Sequence, residues 1–140
     1  MTHSPEQFGD LVVAVYKEMK AKTEKDLKSY GLGMGQLQIL MLFYVDPNRS
    51  FSQNDLVRIL NIDKGNISRN VKKLMDKNYL EQDMEHSKMV KLSAQGIMIK
   101  KEIMTAFMSL HQSMTEGISE NELKQTVSIL SKISKNLEAL

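Results

Sequence analysis

The stretch from Ser52 to Leu74 limits the folds open to this chain more than any other. It holds two helical repeats of apolar residues separated by a very short turn. Ser52-Gln53-Asn54-Asp55 opens a short helix, with Ser52 as its cap and Leu56, Val57 and Leu60 as its apolar face. After a turn at Asn61-Ile62, Asp63 caps a second helix, read as Lys64 to about Met75. Its buried stripe is Ile67, Val71 and Leu74, at i, i+4 and i+7. Asn78 tolerates the left-handed conformation and stops it. A short helix, a tight turn and a second helix tied together by Ile62, Ile67 and Val71 have helix-turn-helix geometry.

The flanks extend this pattern. Two β-prone runs, Tyr79 to Gln82 and Met89 to Leu92, are separated by polar residues and read as a small hairpin. Upstream, Gln36 to Tyr44 is apolar nearly all round. Leu and Met outnumber β-branched residues there, so helix is chosen over strand, with Asp46-Pro47-Asn48 as its stop. Ser4-Pro5-Glu6-Gln7 starts an amphipathic helix reaching about Ser29, before the glycine-rich stretch Gly31 to Gly35. After the hairpin, one long helix is expected from Ala94 to Met114. A break at Gly117 and a capping box at Ser119-Glu120-Asn121-Glu122 then begin a last helix. The fold class is mainly α: a winged helix-turn-helix with a short β-hairpin wing and terminal helices.

The outward face of the second helix carries Lys64, Asn66, Ser68, Arg69, Lys72 and Lys73. Arg offers a fork to guanine, Asn can pair with adenine, and Ser and Lys reach phosphates or base edges. Gly65 removes bulk where the helix N-terminus would meet a phosphate. Charge agrees in sign: residues 63–101 hold nine basic against five acidic side chains, while 102–140 hold three against five. A solvated helix face can show the same charges. Taken with the short helix before it and the hairpin after it, the face favours duplex DNA.

Other classes lose support. With 0 Cys, disulfides, thiol switches and Cys-containing zinc sites are excluded. His3, His86 and His111 share no metal-ligand spacing, so no metal is expected. No nucleophile elbow or glycine-rich phosphate loop follows a strand, so no catalytic residues and no cofactor are expected. No signal peptide or membrane-length apolar run is seen, and a cytoplasmic location is the expectation. The 11 Met residues are read mainly as filling between helices.

Ser52-Gln53-Asn54-Asp55-Leu56, then Leu60-Asn61-Ile62, then Ile67-Ser68-Arg69-Asn70-Val71-Lys72-Lys73-Leu74 resemble the core of the MarR (multiple antibiotic resistance regulator) family. Tyr79-Leu80 and Val90-Lys91-Leu92-Ser93-Ala94-Gln95-Gly96 resemble its wing strands and the start of its long fifth helix. The resemblance extends over essentially the whole chain. It implies that the helix at 64–75 reads the major groove, that Gln53 approaches a phosphate, and that the terminal helices form a homodimer on a pseudo-palindromic operator. It also implies that a small, often aromatic anion binds between the dimerisation and DNA-binding parts, where Tyr16, Tyr30, Met41 and Met108 are candidates to line a cavity, with core packing as the alternative. Family wings are rich in Asp and Arg. Here the interval from Leu80 to Ser93 is short, and only His86 and Lys88 supply cations at the tip. Gln82 stands where Arg is common and Asn78 where Gly is common, so the major-groove helix carries more of the affinity and Lys88 is the expected wing contact.

The expectation is therefore one chain, 1–140, with a winged helix-turn-helix DNA-binding part at 33–93 and helical dimerisation parts at 4–29 and 94–140. Phe8, Leu11, Val15, Leu123, Leu130, Ile133 and Leu137 form apolar stripes for dimerisation, and closure of one monomeric core is the other reading. The expected function is a DNA-binding transcription regulator, a repressor released by a small-molecule effector. The alternatives are a winged-helix protein–protein interaction module and a small-ligand carrier.

Overall fold

The computed structural model describes residues 4–140, so His3 lies outside the described residues. The chain divides into two compact units, the first ending at Phe107 and the second running Met108–Leu140.

In the first unit, α1 (Pro5–Asp26) begins where the sequence indicates: the Ser4 hydroxyl accepts the Gln7 backbone N–H at 3.1 Å, and Pro5 occupies the first turn. It ends before the expected Ser29. Leu27 turns into the core and Lys28–Tyr30 tighten into a 3-10 turn, which closes on Gly31 in the left-handed region at φ 68°. The apolar run at 36–44 is a helix, α2 (Met34–Val45), buried through Leu37, Ile39, Leu40, Phe43 and Tyr44. The Tyr44 hydroxyl donates to the Gly96 carbonyl at 2.8 Å, and burial pushes its phenol well above its ordinary pKa.

Phe51–Ser52 form a short strand, β1, that periodicity does not announce. It exists by pairing: β1 and β2 (Leu80–Gln82) flank β3 (Met89–Leu92) in an antiparallel sheet of order β1-β3-β2, with Val90 opposite both Phe51 and Gln82. The expected hairpin is thus two-thirds of a small sheet. Between these strands lie α3 (Gln53–Leu60) and α4 (Lys64–Asp76). A reciprocal box starts α3: the Ser52 hydroxyl accepts the Asp55 N–H and the Asp55 carboxylate accepts the Ser52 N–H, both at 3.0 Å.

The expected helix from Ala94 to Met114 is instead α5 (Ala94–Met98) and α6 (Lys100–Thr115). The two are separated by Ile99 alone, whose backbone N–H is shared between the carbonyls of Gln95 and Ile97. In the second unit, α7 (Glu120–Glu138) starts on the capping box of Ser119 and Glu122, after Gly117 at φ 78°.

One core organises the first unit. Ile39, Leu40 and Phe43 of α2, Leu56 of α3, Ile67 and Leu74 of α4, and Ile103 of α6 are fully buried, with Val71, Leu80 and Leu92 nearly so. Burying each such side chain stabilises the fold by roughly 1.5–3 kcal/mol. Phe43 and Phe51 meet edge to face, with centroids 5.0 Å apart, and this contact fixes β1 to α2.

Candidate nucleic-acid interface

The site is built around α4. Asp63 caps it: one carboxylate oxygen accepts the Asn66 backbone N–H at 2.9 Å, and the other accepts the Asn66 side-chain amide at 2.6 Å. These bonds, the backbone one first, hold the Asp63 carboxyl below the usual carboxylate range. Ile67, Val71 and Leu74 bury one face, and the 3.6-residue period then assigns every other side chain a direction. Gly65, Arg69 and Lys72 stand opposite the core. All three are exposed, and Lys72 pairs with Asp76 at 3.0 Å.

The two flanks of α4 face different concavities. On one side Lys64 and Met75 line a groove of about 440 Å³ with Gln53 and Asn54 of α3 and with Gln82, Ser87 and Lys88 of the wing. Gln53, Lys64 and Lys88, far apart in sequence, are therefore brought together. On the other side Asn66, Asn70 and Lys73 line a cleft of about 440 Å³ with Tyr16, Lys20 and Glu24 of α1 and with Gln36 and Gln38 of α2. Ser68 is exposed. Of the eight residues expected to meet DNA, three share the groove, Arg69 and Lys72 lie on the outermost face, and Asn66 and Lys73 turn towards the cleft.

The rotation of α4 is fixed from behind. Gln36 Oε1 accepts the Gly33 N–H at 2.6 Å, which presents Gln36 Nε2 to Asn70 Oδ1, also at 2.6 Å. Gly35 makes room for this link, since a Cβ there would lie 2.6 Å from Asn70 Nδ2. Sequence reasoning missed the pair; its only local signal was the glycine spacing around Gln36.

The wing is also held. Asp83 is buried at its base, accepting the Ser50 hydroxyl at 2.5 Å and the Glu85 N–H at 2.9 Å. The Ser50 bond, then the Glu85 bond, keep its carboxyl below the usual range. Gln82 Nε2 donates to the Ser87 carbonyl across the hairpin at 2.5 Å. Asn78 adopts φ 65°, the left-handed value expected of it. Two further cations near the interface were missed: Arg49 lies over the Phe51 ring at 4.4 Å, and Arg58 pairs with Asp55 at 3.2 Å.

Among the other expected residues, Phe8, Leu11, Val15, Leu130 and Leu137 are exposed, while Leu123 and Ile133 are partly buried. Tyr16 lines the cleft; Tyr30 and Met41 pack against the core; Met108 is exposed in the second unit. Among the described residues no cluster of His, Asp and Glu could hold a metal, and no helix is long and apolar enough to cross a membrane.

Comparison with known proteins gives the pattern a name. A family model described as MarR family matches residues 30–88. A MarR transcriptional regulator from Methanosarcina mazei Go1 shares the fold at 24% identity, over 99% of this chain and 94% of its own, with a TM-score of 0.81. MepR of S. aureus, solved as a DNA complex, is 22% identical over 96% of this chain and 99% of its own, with a TM-score of 0.83. MarR of Staphylococcus aureus, solved with salicylate and kanamycin, is 18% identical over 96% of this chain and 92% of its own, with a TM-score of 0.75. No curated protein sequence matches the chain. The family match covers the helix-turn-helix and the wing as far as Lys88, and over nearly its whole length the chain has the winged-helix fold of these MarR proteins.

Proposed function

We propose that this chain is a cytoplasmic, homodimeric repressor of transcription that binds a pseudo-palindromic operator through α4 and is released by a small anionic or aromatic effector. Its function is binding rather than catalysis. The DNA-binding part is 33–93, and the dimerisation parts are 4–29 and 94–140.

The observation that carries this reading is the exposed face of α4: Arg69 stands directly opposite a fully buried stripe, flanked by a groove that gathers Gln53, Lys64 and Lys88. That arrangement presents one planar fork to base edges and several donors to phosphates. The DNA complex of MepR supports it. The exposed stripe of Phe8, Leu11 and Val15, with Leu130 and Leu137 on α7, supports a second copy as the cover. A two-fold dimer would set its half-sites about one helical turn apart, roughly 34–36 Å. The cleft holding Tyr16, Lys20 and Lys73 is of a size that suits a small molecule, and its two lysines suit an anion. The salicylate complex of a relative supports the same class.

Selection of bound genomic DNA, followed by titration at several salt concentrations, tests the reading. The expected result is specific binding that weakens steeply with salt, the log–log slope being about −0.9 per phosphate contact. Arg69→Ala is expected to lower specific affinity by about 1–3 kcal/mol. Absence of binding to every fragment at low salt would sink the reading and leave the protein–protein module.

A further inference from the structure

Resting on the DNA-binding reading above, we infer that Asp63, Asn66 and Arg69 form one reading unit, in which Asn66 contacts no base and instead positions the Arg69 guanidinium for a guanine.

The three residues are spaced by three along the start of α4 and linked in series. Asp63 accepts the Asn66 side-chain amide at 2.6 Å, and Arg69 Nη2 donates to Asn66 Oδ1 at 2.7 Å. The chemistry permits only one orientation of that amide. An ionised carboxylate only accepts, so it must face the NH2 group; a guanidinium only donates, so it must face the oxygen. Both polar ends that Asn66 would turn to an adenine are thereby engaged, and the amide cannot rotate to a base edge without giving up Asp63 and Arg69.

Arg69 spends one donor on the link and keeps the others for a base. A second observation places its fork. A Cβ on Gly65 would lie 3.3 Å from Arg69 Nη1 and 3.3 Å from Asp63 Oδ1, so the guanidinium lies back over the first turn of α4, where a side chain at 65 would crowd it. The N-terminal residues of a recognition helix are those that reach base edges. The unit thus aims Arg69 at the groove and limits its rotamers before binding, which lowers the ordering cost at the interface. Asn66 is a positioning residue, and Asp63 anchors it.

The test uses the full chain and the duplex recovered by selection, with every base pair replaced in turn. Arg69→Ala is expected to flatten a guanine preference of roughly 5- to 150-fold at one base pair per half-site. Asn66→Ala is expected to erode the same preference at the same base pair, and the double variant to show no loss beyond Arg69→Ala. Asp63→Asn, which keeps a capping side chain, is expected to erode it too. If Asn66→Ala instead relaxes an adenine preference at a neighbouring base pair, with losses that multiply in the double variant, the inference is overturned. An unchanged preference overturns it as well. A DNA-free arm separates this failure from failure of the underlying reading. In the free protein, the Asn66 side-chain amide resonance is expected to move when Asp63 is titrated and again in Arg69→Ala. An amide insensitive to both overturns the unit whatever the DNA result, whereas a sensitive amide in a wild-type protein that binds no DNA overturns the DNA-binding reading and the reader role with it.

Discussion

Helices α4 and α7 carry the same kind of sequence signal and meet opposite fates. Each starts on a side-chain cap, Asp63 in one and the Ser119–Glu122 box in the other, and each repeats apolar residues every three or four positions. In α4 that stripe is the core: Ile67 and Leu74 are 0% exposed. In α7 no residue is buried, and Leu130 and Leu137 remain 52% and 64% exposed. A helical period guarantees a helix with an apolar side; it does not say whether the cover comes from the same chain. On the proposed dimer, the α7 stripe is the face that a second molecule completes.

The sharpest way to break this contrast is truncation in the two stripes. Leu74→Ala removes a fully buried side chain in the last turn of α4. It is expected to cost about 2–5 kcal/mol in urea unfolding at any protein concentration, because the cavity lies inside one chain. Leu130→Glu, on the exposed stripe, is expected to leave unfolding at low concentration within about 0.5 kcal/mol of the parent. It should instead convert dimer to monomer in sedimentation velocity, since a charge would be buried unpaired at the proposed interface. If Leu130→Glu destabilises the dilute protein as much as Leu74→Ala does, the stripe belongs to a closed monomeric core and the proposed dimer is wrong.

The legibility of the two regions follows the same division. Residues 63–78 were readable because their determinants are local: a cap three residues from the amide it binds, a stripe at helical spacing, and an Asn suited to positive φ at the end. The runs 79–82 and 89–92 are legible for the same reason, and the first strand begins one residue later, at Leu80. What the sequence hid are features made by distant partners. Strand β1 exists because Phe51 meets Val90, and the rotation of α4 depends on Gln36 reaching Asn70 across 34 positions. The end of α1 was hidden because Leu27 is captured by the core, and the turn at Ile99 left no glycine or proline to mark it. In the candidate interface, residue types pointed to the face, but the division of α4 into groove and cleft flanks needed the neighbouring elements. Asn66 shows the limit: its type suggested a base reader, while its bonds to both Asp63 and Arg69 are visible only in the folded helix.

The smallest expected effect concerns the wing, whose shape depends on a distant partner rather than a local cap. Asp83 accepts the Ser50 hydroxyl and the Glu85 N–H, and both bonds favour the ionised form. Its folded pKa therefore lies below the unfolded value of about 3.9. A depressed folded pKa contributes stability that is fully present above the unfolded value and is lost as pH falls through the folded one. The wing base is thus expected to be unchanged between about pH 5 and 8 and to loosen only in strong acid. A carbon-13 titration of the Asp83 carboxyl would follow this directly. Ser50→Ala removes the larger of the two causes, so the midpoint should rise towards the ordinary value while the cap of α4 at Asp63 keeps its own. A midpoint that does not move in Ser50→Ala would mean that the local Glu85 amide holds the carboxylate by itself. The wing would then be as locally determined as α4, and the contrast between cap-built and partner-built elements would not extend to it.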